Sequence, residues 1–237
     1  MASGLALGSW SSNGSYIYEV SLTSLTPKGY ELLRDAGKDQ KPDHRIVFVS
    51  ADPTNASRLR LNEEYREISE KIRLSKARDR ILLHLALSTR PADLSQALLD
   101  LNPTIVHFSG HGTKMGAICV EEQNGSLLPI TVEALADLFA PFANSLKLVV
   151  LNACFSALQA GAIAKQIECV IGMRKAIGDR AAIAYSIGLY QAIGAGRSIG
   201  DAHKLGCAQI RLQGLDEHLT PSILYKNETS AVLESDG

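Results

Sequence analysis

Apolar residues along this chain fall into short unbroken runs, separated by longer stretches in which they recur every three or four positions. The unbroken runs are residues 45–51 (RIVFVSA), 80–88 (RILLHLALS), 104–110 (TIVHFSG), 146–153 (LKLVVLNA) and 169–173 (CVIGM). Runs of this length, bounded by turn residues, predict strands buried on both faces. Between them, residues 60–75 carry Leu61, Tyr65, Ile68 and Ile72 at helical spacing. Residues 90–103 predict a helix with Pro91 near its start and Pro103 beyond its end. Residues 131–144, 156–167, 179–195 and 198–212 predict further helices, and residues 116–130 a hairpin turning at Asn124-Gly125. Strands alternating with helices build βαβ units, so the expected fold class is α/β with a mainly parallel sheet covered on both faces.

Residues 1–43 follow a different pattern. SYIYEVSLTSL has a strand-like start, after which Thr26 and Pro27 stand as N-cap and first residue of a helix. RDAGKDQKPDH then reads as a linker. The phrase LTPKG resembles the last strand and helix of a winged-helix module, and a plain ββα or βα appendage fits equally. The expected organisation is a small N-terminal appendage and linker at 1–43 and a main domain at 44–237.

Composition narrows the function classes. At 237 residues the chain can bury a full core unaided, and a net charge of −1 offers no global field for nucleic acid or anionic membrane. No basic stripe with reading residues marks the N-terminal segment, so direct contact with nucleic acid is not expected. The four cysteines, Cys119, Cys154, Cys169 and Cys207, show no CxxC pairing, which predicts reduced thiols and a cytoplasmic setting. The start, MASGLALGSW, lacks the features of a signal peptide, and no apolar run approaches the ~20 residues of a membrane span.

Candidate chemistry sits where two strands run out. The third run ends in Ser-Gly-His-Gly, with His111 between Gly110 and Gly112, and the fourth ends in Asn-Ala-Cys at Cys154. In open parallel sheets, functional groups gather beyond the carboxyl ends of the strands. If the two strands are neighbours, His111 and Cys154 share a crevice. An imidazole beside a cysteine favours the thiolate and can protonate a leaving amine. A helix starting near Ser156 would add positive potential. The Gly112 and Cys154 N–H groups are candidates for an oxyanion hole. Cys119, Cys169 and Cys207 lie in apolar or helical runs and read as structural, and His107 reads as a packed strand residue.

HFSGHG followed by VVLNACFS resembles the caspase-fold cysteine peptidases, specifically their bacterial CHAT branch. The histidine and cysteine stand about 40 positions apart, close to the roughly 50 of the caspase pattern. The likeness runs from about residue 45 to 213 and includes ADPTNASRLRLNEEYREI and VIGMRKAIGDRAAIAYSIGLYQAIGAGRSIGDA. It implies a caspase-like three-layer sandwich, with His111 as general base and acid and Cys154 as nucleophile. It also implies a protein substrate and a role in bacterial defence or regulated cell death. No metal or other cofactor is called for. In the caspase signature QACRG, Asn152 stands here for Gln and Phe155-Ser156 for Arg-Gly, so aspartate specificity is not expected. The first substrate pocket of such a site would draw on Asp52, Asn152 and Asp179, which favours a basic residue at the scissile position, then an uncharged one, then Asp. Arg58 and Arg174 are the nearby cations. Helix and strand fill the chain between Cys154 and Asp179, leaving no long excisable loop. Control is therefore expected from an activating sensor, a fused regulatory partner or oligomerisation. The sequence leaves the oligomeric state open. The alternatives are a catalytically silent caspase fold and a flavodoxin- or TIR-like signalling module, although SADPTNAS has no glycine for a phosphate loop.

Overall fold

The structure, a computed structural model, describes residues 6–13, 16–25, 42–87 and 89–226. The chain divides into two compact units, Met1–Lys41 and Pro42–Gly237. In the first, β1 (Ala6–Asn13) pairs antiparallel with β2 (Tyr16–Leu25), with register shifts at Leu7/Gly8 and Ser11/Ser12. The sequence pattern had marked only the second of these strands, because ALGSWSSN lacks a run of β-branched or aromatic residues. The helix expected from Thr26 and Pro27 lies outside the described residues.

The second unit is built on a six-stranded sheet with the order β10-β9-β8-β5-β3-β4. Its strands are β3 (His44–Ala51), β4 (Ile81–Ala86), β5 (Ile105–Gly110), β8 (Leu148–Asn152), β9 (Cys169–Met173) and β10 (Pro221–Tyr225). All pair in parallel except β10, which closes one edge antiparallel to β9. The five runs seen in the sequence are the five parallel strands. The sixth strand was not expected. PSILY is short and opens with a proline, a residue that tolerates the first position of an edge strand because it has no N–H to give.

Alternation along each strand sorts side chains to two faces. Val47, Val49, Val106, Phe108, Val149 and Leu151 form one core with α2 (Pro91–Leu101), α3 (Val132–Phe139) and α4 (Ala157–Ile163). Ile46, Phe48, Ile105, Leu148 and Val150 form the other with α1 (Leu61–Arg73), α5 (Asp179–Gly194) and α6 (Ile199–Leu212). Helix, sheet and helix make the three-layer α/β sandwich. A hairpin of β6 (Ile118–Glu121) and β7 (Leu127–Ile130) lies between β5 and α3 in the chain. Its turn uses Gly125 at φ 79°, a left-handed conformation that glycine adopts without penalty.

Candidate active site

Strands β5 and β8 are parallel neighbours, and Ser109 stands opposite Asn152 in their register. Two residues further along each chain come His111 and Cys154, so the pairing delivers both to one end of the sheet. Gly112 tightens the approach. A Cβ added there would stand 2.0 Å from the Cys154 carbonyl oxygen and 3.0 Å from its nitrogen, so the two backbones touch and no side chain fits between them. His111 and Cys154 line the same small crevice, about 50 Å³, together with Leu61, Ile177, Asp179 and Ile183.

The turn carrying Cys154 is held from both sides. Ser156 is fully buried; its hydroxyl donates to Leu151 O at 2.7 Å and accepts from Met173 N–H at 2.9 Å, stapling the end of β8 to the end of β9. Phe155 adopts φ 58°, which is strained for a bulky residue, and its N–H donates to Lys175 O at 3.2 Å. The helix that follows, α4, has seven residues, and the Ser156 hydroxyl turns back to β8 instead of capping it. The positive helix end expected at the cysteine is therefore that of a two-turn helix.

The histidine is oriented by backbone. His111 Nε2 lies 2.8 Å from Ser57 O. A carbonyl only accepts, so Nε2 carries the proton and the neutral ring keeps its lone pair on Nδ1. The thiol of Cys154 contacts Ile177 O at 3.7 Å. In this arrangement imidazole and thiol each face a backbone carbonyl, that of Ser57 and that of Ile177.

Glu64, Ser109 and Asn152, which also line the crevice, belong to a buried polar cluster that sequence reasoning missed. Glu64 on α1 is 2 % exposed. Its Oε1 accepts from His107 Nε2 at 3.0 Å, Asn152 Nδ2 at 2.6 Å and Ser186 Oγ at 2.6 Å, and its Oε2 accepts from the Ser109 hydroxyl. Burial pushes its pKa up, but the hydrogen bonds and charge of His107, with those of Ser109 and Ser186, outweigh it, and the net shift is downward. His107 is fully buried, stacks on Phe48 with ring centres 5.0 Å apart, and reaches Tyr190 OH at 3.2 Å with its other nitrogen. Burial, then the Glu64 charge, raises the Tyr190 pKa well beyond its ordinary value, so this phenol stays neutral.

The three residues expected to line the first substrate pocket are separated. Asp179, the first residue of α5, lines the crevice and makes no ion pair among the described residues. Asn152 also lines it; its amide is committed to Glu64, while its Oδ1 is buried without a hydrogen-bond partner. Asp52 at the end of β3 does not line the crevice, and Arg58 Nη1 holds its carboxylate at 2.9 Å. Arg174 faces a different cavity. Burial raises the thiol pKa of Cys119 and of Cys207 to about 11, so both stay protonated at neutral pH, and Cys169 is buried in the core. No group of three or more His, Cys, Asp or Glu arranged to hold a metal occurs among the described residues.

Comparison with known proteins adds the family. The CHAT domain profile matches residues 6–223. A protein named as a probable protease from Gillisia limnaea is 25% identical over 142 residues, covering 59% of this chain and 25% of the relative. A Roc-COR-CHAT protease from an unknown prokaryotic organism is 24% identical over 148 residues, covering 60% of this chain and 14% of the relative. The chain thus spans a quarter or less of the length of these relatives. Among solved structures, a secreted C11 cysteine protease from Bacteroides thetaiotaomicron, in complex with an irreversible peptide inhibitor, superposes with TM-score 0.56 at 12% identity, over 79% of this chain and 67% of that one. The Drosophila initiator caspase Dronc does so with TM-score 0.50 at 12% identity, over 76% and 78% of the two chains. With the profile spanning nearly all of the sheet and both helical layers, the chain belongs to the CHAT domain family and has the caspase fold.

Proposed function

We propose that this chain is the peptidase domain of a caspase-like cysteine endopeptidase that cleaves a partner protein with His111 and Cys154. The observation that carries this reading is the backbone contact of Gly112 with Cys154, which leaves the two side chains in one crevice at the carboxyl ends of β5 and β8. In the reaction, His111 Nδ1 takes the thiol proton and the thiolate adds to the scissile carbonyl carbon. The N–H groups of Gly112 and Cys154 receive the oxyanion; among the described residues neither donates to another acceptor. The imidazolium then protonates the leaving amine, and water hydrolyses the thioester with His111 again as base.

The substrate preference we propose is a basic residue at the scissile position. Asp179 lines the crevice without an ion-pair partner among the described residues and offers a carboxylate to a donor, while Asp52 lies outside the crevice and is paired with Arg58. The crevice is small in its resting form, and the thiol is engaged by Ile177 O. We therefore assign activation to movement of the loop at 174–178, driven by a sensor, a fused partner or oligomerisation in the cytoplasm. A relative whose name joins Roc, COR and CHAT fits a fused regulator. The N-terminal unit at 1–43 is the proposed attachment face, and a bacterial defence or regulated-death pathway the proposed setting.

One peptide-library experiment tests both the reaction and the preference. Cys154→Ala and His111→Ala should each lower cleavage by about 10³-fold or more. Asp179→Ala should erase a preference for Arg and Lys of about tenfold or more. Cleavage by either dyad variant at the wild-type rate sinks the assignment, and a preference untouched by Asp179→Ala sinks the pocket.

A further inference from the structure

A second cavity, about 800 Å³, opens between α6 and the segment around β10. Arg174, Lys204 and Arg211 line it with His203 and His218. Lys204 and Arg211 are seven positions apart on α6, so they share one face about two turns, roughly 10 Å, apart. Among the described residues none of the three cations has an ion-pair partner. Of the two carboxylates on the neighbouring turn, Asp216 and Glu217, neither makes an ion pair among the described residues, and Glu217 accepts from Gly178 N–H at 3.3 Å. His203 donates or accepts at Tyr185 OH, 2.8 Å away, and its pKa is lowered by burial and then by the charges of Arg174 and Lys204. His218 Nδ1 is buried without a partner. Leu212, Leu219 and Ile223 supply apolar wall between these groups.

We propose that this cavity binds an organic polyphosphate, in chemical class a nucleoside di- or triphosphate, whose occupancy is felt at Cys154. The volume falls within the roughly 300–1,000 Å³ typical of small-molecule sites, and an apolar wall beside convergent polar groups is their usual chemistry. A single carboxylate would neutralise one of three cations spread over two turns. A phosphate chain spans them, and the guanidinium forks of Arg174 and Arg211 match phosphate oxygens bidentately.

The route to the active site is short. Arg174 is the first residue of the 174–178 loop, and its N–H is held by Thr220 O at 2.9 Å. The far end of that loop is held by Glu217 through Gly178 N–H. Between these ends, Lys175 O accepts from Phe155 N–H and Ile177 O engages the Cys154 thiol. A ligand drawn to Arg174 and to His218 on the Glu217 turn therefore acts on both anchors of the loop that covers the nucleophile. Coupling of this kind needs only different contacts in the two loop positions.

Calorimetry with ATP as the probe, adenosine and inorganic pyrophosphate as controls, and the full chain tests the site without needing peptidase activity. Lys204 and Arg211 are exposed, so Lys204→Gln/Arg211→Gln should leave the fold intact. Wild type should bind ATP at least about 30-fold more tightly than the double variant does, and adenosine should not bind. Affinities within about threefold of each other for wild type and double variant would overturn the site, since losing two charge-assisted contacts predicts far more. Pyrophosphate binding as tightly as ATP would overturn it too, by showing an adventitious counterion patch only. Saturating ATP should change the rate of Cys154 alkylation by iodoacetamide, read by mass spectrometry, by about fivefold or more in wild type and not in the double variant. An unchanged rate at saturation would overturn the coupling to Cys154. The alkylation reports the thiol and not cleavage, so a failed peptidase assignment leaves this result readable.

Discussion

Glu64 shows most plainly what a single residue can hide. On α1 the sequence offers Leu61, Tyr65, Ile68 and Ile72 as the buried face, and a glutamate among charged neighbours reads as solvent-facing. Its partners lie far away in the chain: Ser109 on β5, Asn152 on β8 and Ser186 on α5. No local pattern reports such a cluster, although Glu64 does fall one turn from both Leu61 and Ile68, and that spacing was the available signal. His107, by contrast, was legible as a packed residue from its place inside a strand. The cluster predicts a specific pH dependence. The Glu64 pKa is lowered in the fold, so its contribution to stability is present above the unfolded value near 4.5 and is lost as pH falls through the folded value. Glu64→Ala leaves His107, Ser109, Asn152 and Ser186 facing a void and should cost about 3–5 kcal/mol near neutral pH. Urea unfolding from pH 7 down to pH 3 should show the gap between wild type and variant narrowing as Glu64 protonates. A gap that stays constant over that range would mean the carboxylate is not the charged hub of the cluster.

At the scale of elements, the five parallel strands were readable because each is an unbroken apolar run, the signature of burial on both faces. β10 was not, because it is short, begins with proline and exists through its antiparallel partner β9. The neighbourhood of β5 and β8 was an inference from the order of elements, and the register of Ser109 against Asn152 turns it into geometry. What the sequence could not convey is how closely the two strand ends touch. In the sequence Gly112 stands as a candidate oxyanion-hole donor; its stronger constraint is contact, since a methyl group there would overlap the Cys154 carbonyl. Gly112→Ala must push the two ends apart. Such overpacking typically costs about 1–3 kcal/mol, so the fold should survive with a lowered melting temperature. Proximity effects fall steeply with small displacements, so peptide cleavage should drop by about 10²-fold or more. Circular dichroism together with kcat/KM on the best library peptide would check it. Wild-type kcat/KM in a folded Gly112→Ala protein would show that the contact is not what places the dyad.

For the molecule as a whole, the question is how the proposed site, with an engaged thiol and a small crevice, would become active. Between Cys154 and Asp179 the chain forms the stapled turn, α4, β9 and the 174–178 loop. The segments outside α4 and β9 are short and tied by hydrogen bonds: Ile167 N–H to Ile163 O, Phe155 N–H to Lys175 O, and Gly178 N–H to Glu217. A protease needs a long exposed stretch to cut, and none is present among these residues. A cut between α4 and β9 would also part β9, an interior strand of the sheet, from the turn that carries Cys154. The route proposed above is a shift of the 174–178 loop that would release Cys154 from Ile177 O and widen the crevice, with the chain intact. That loop carries Arg174 into the cationic cavity and Ile177 into the crevice, so a ligand or a partner pressing on its anchors would reach Cys154 without crossing the core. Intact-mass spectrometry of the protein in its cleaving state should therefore find the chain unbroken between Phe155 and Asp179. Thiol alkylation measured in parallel should be faster than in the resting state, because the freed thiol is accessible. A stoichiometric cut between those residues that tracks the onset of activity would refute control by loop movement and place this chain among the enzymes that activate by self-processing.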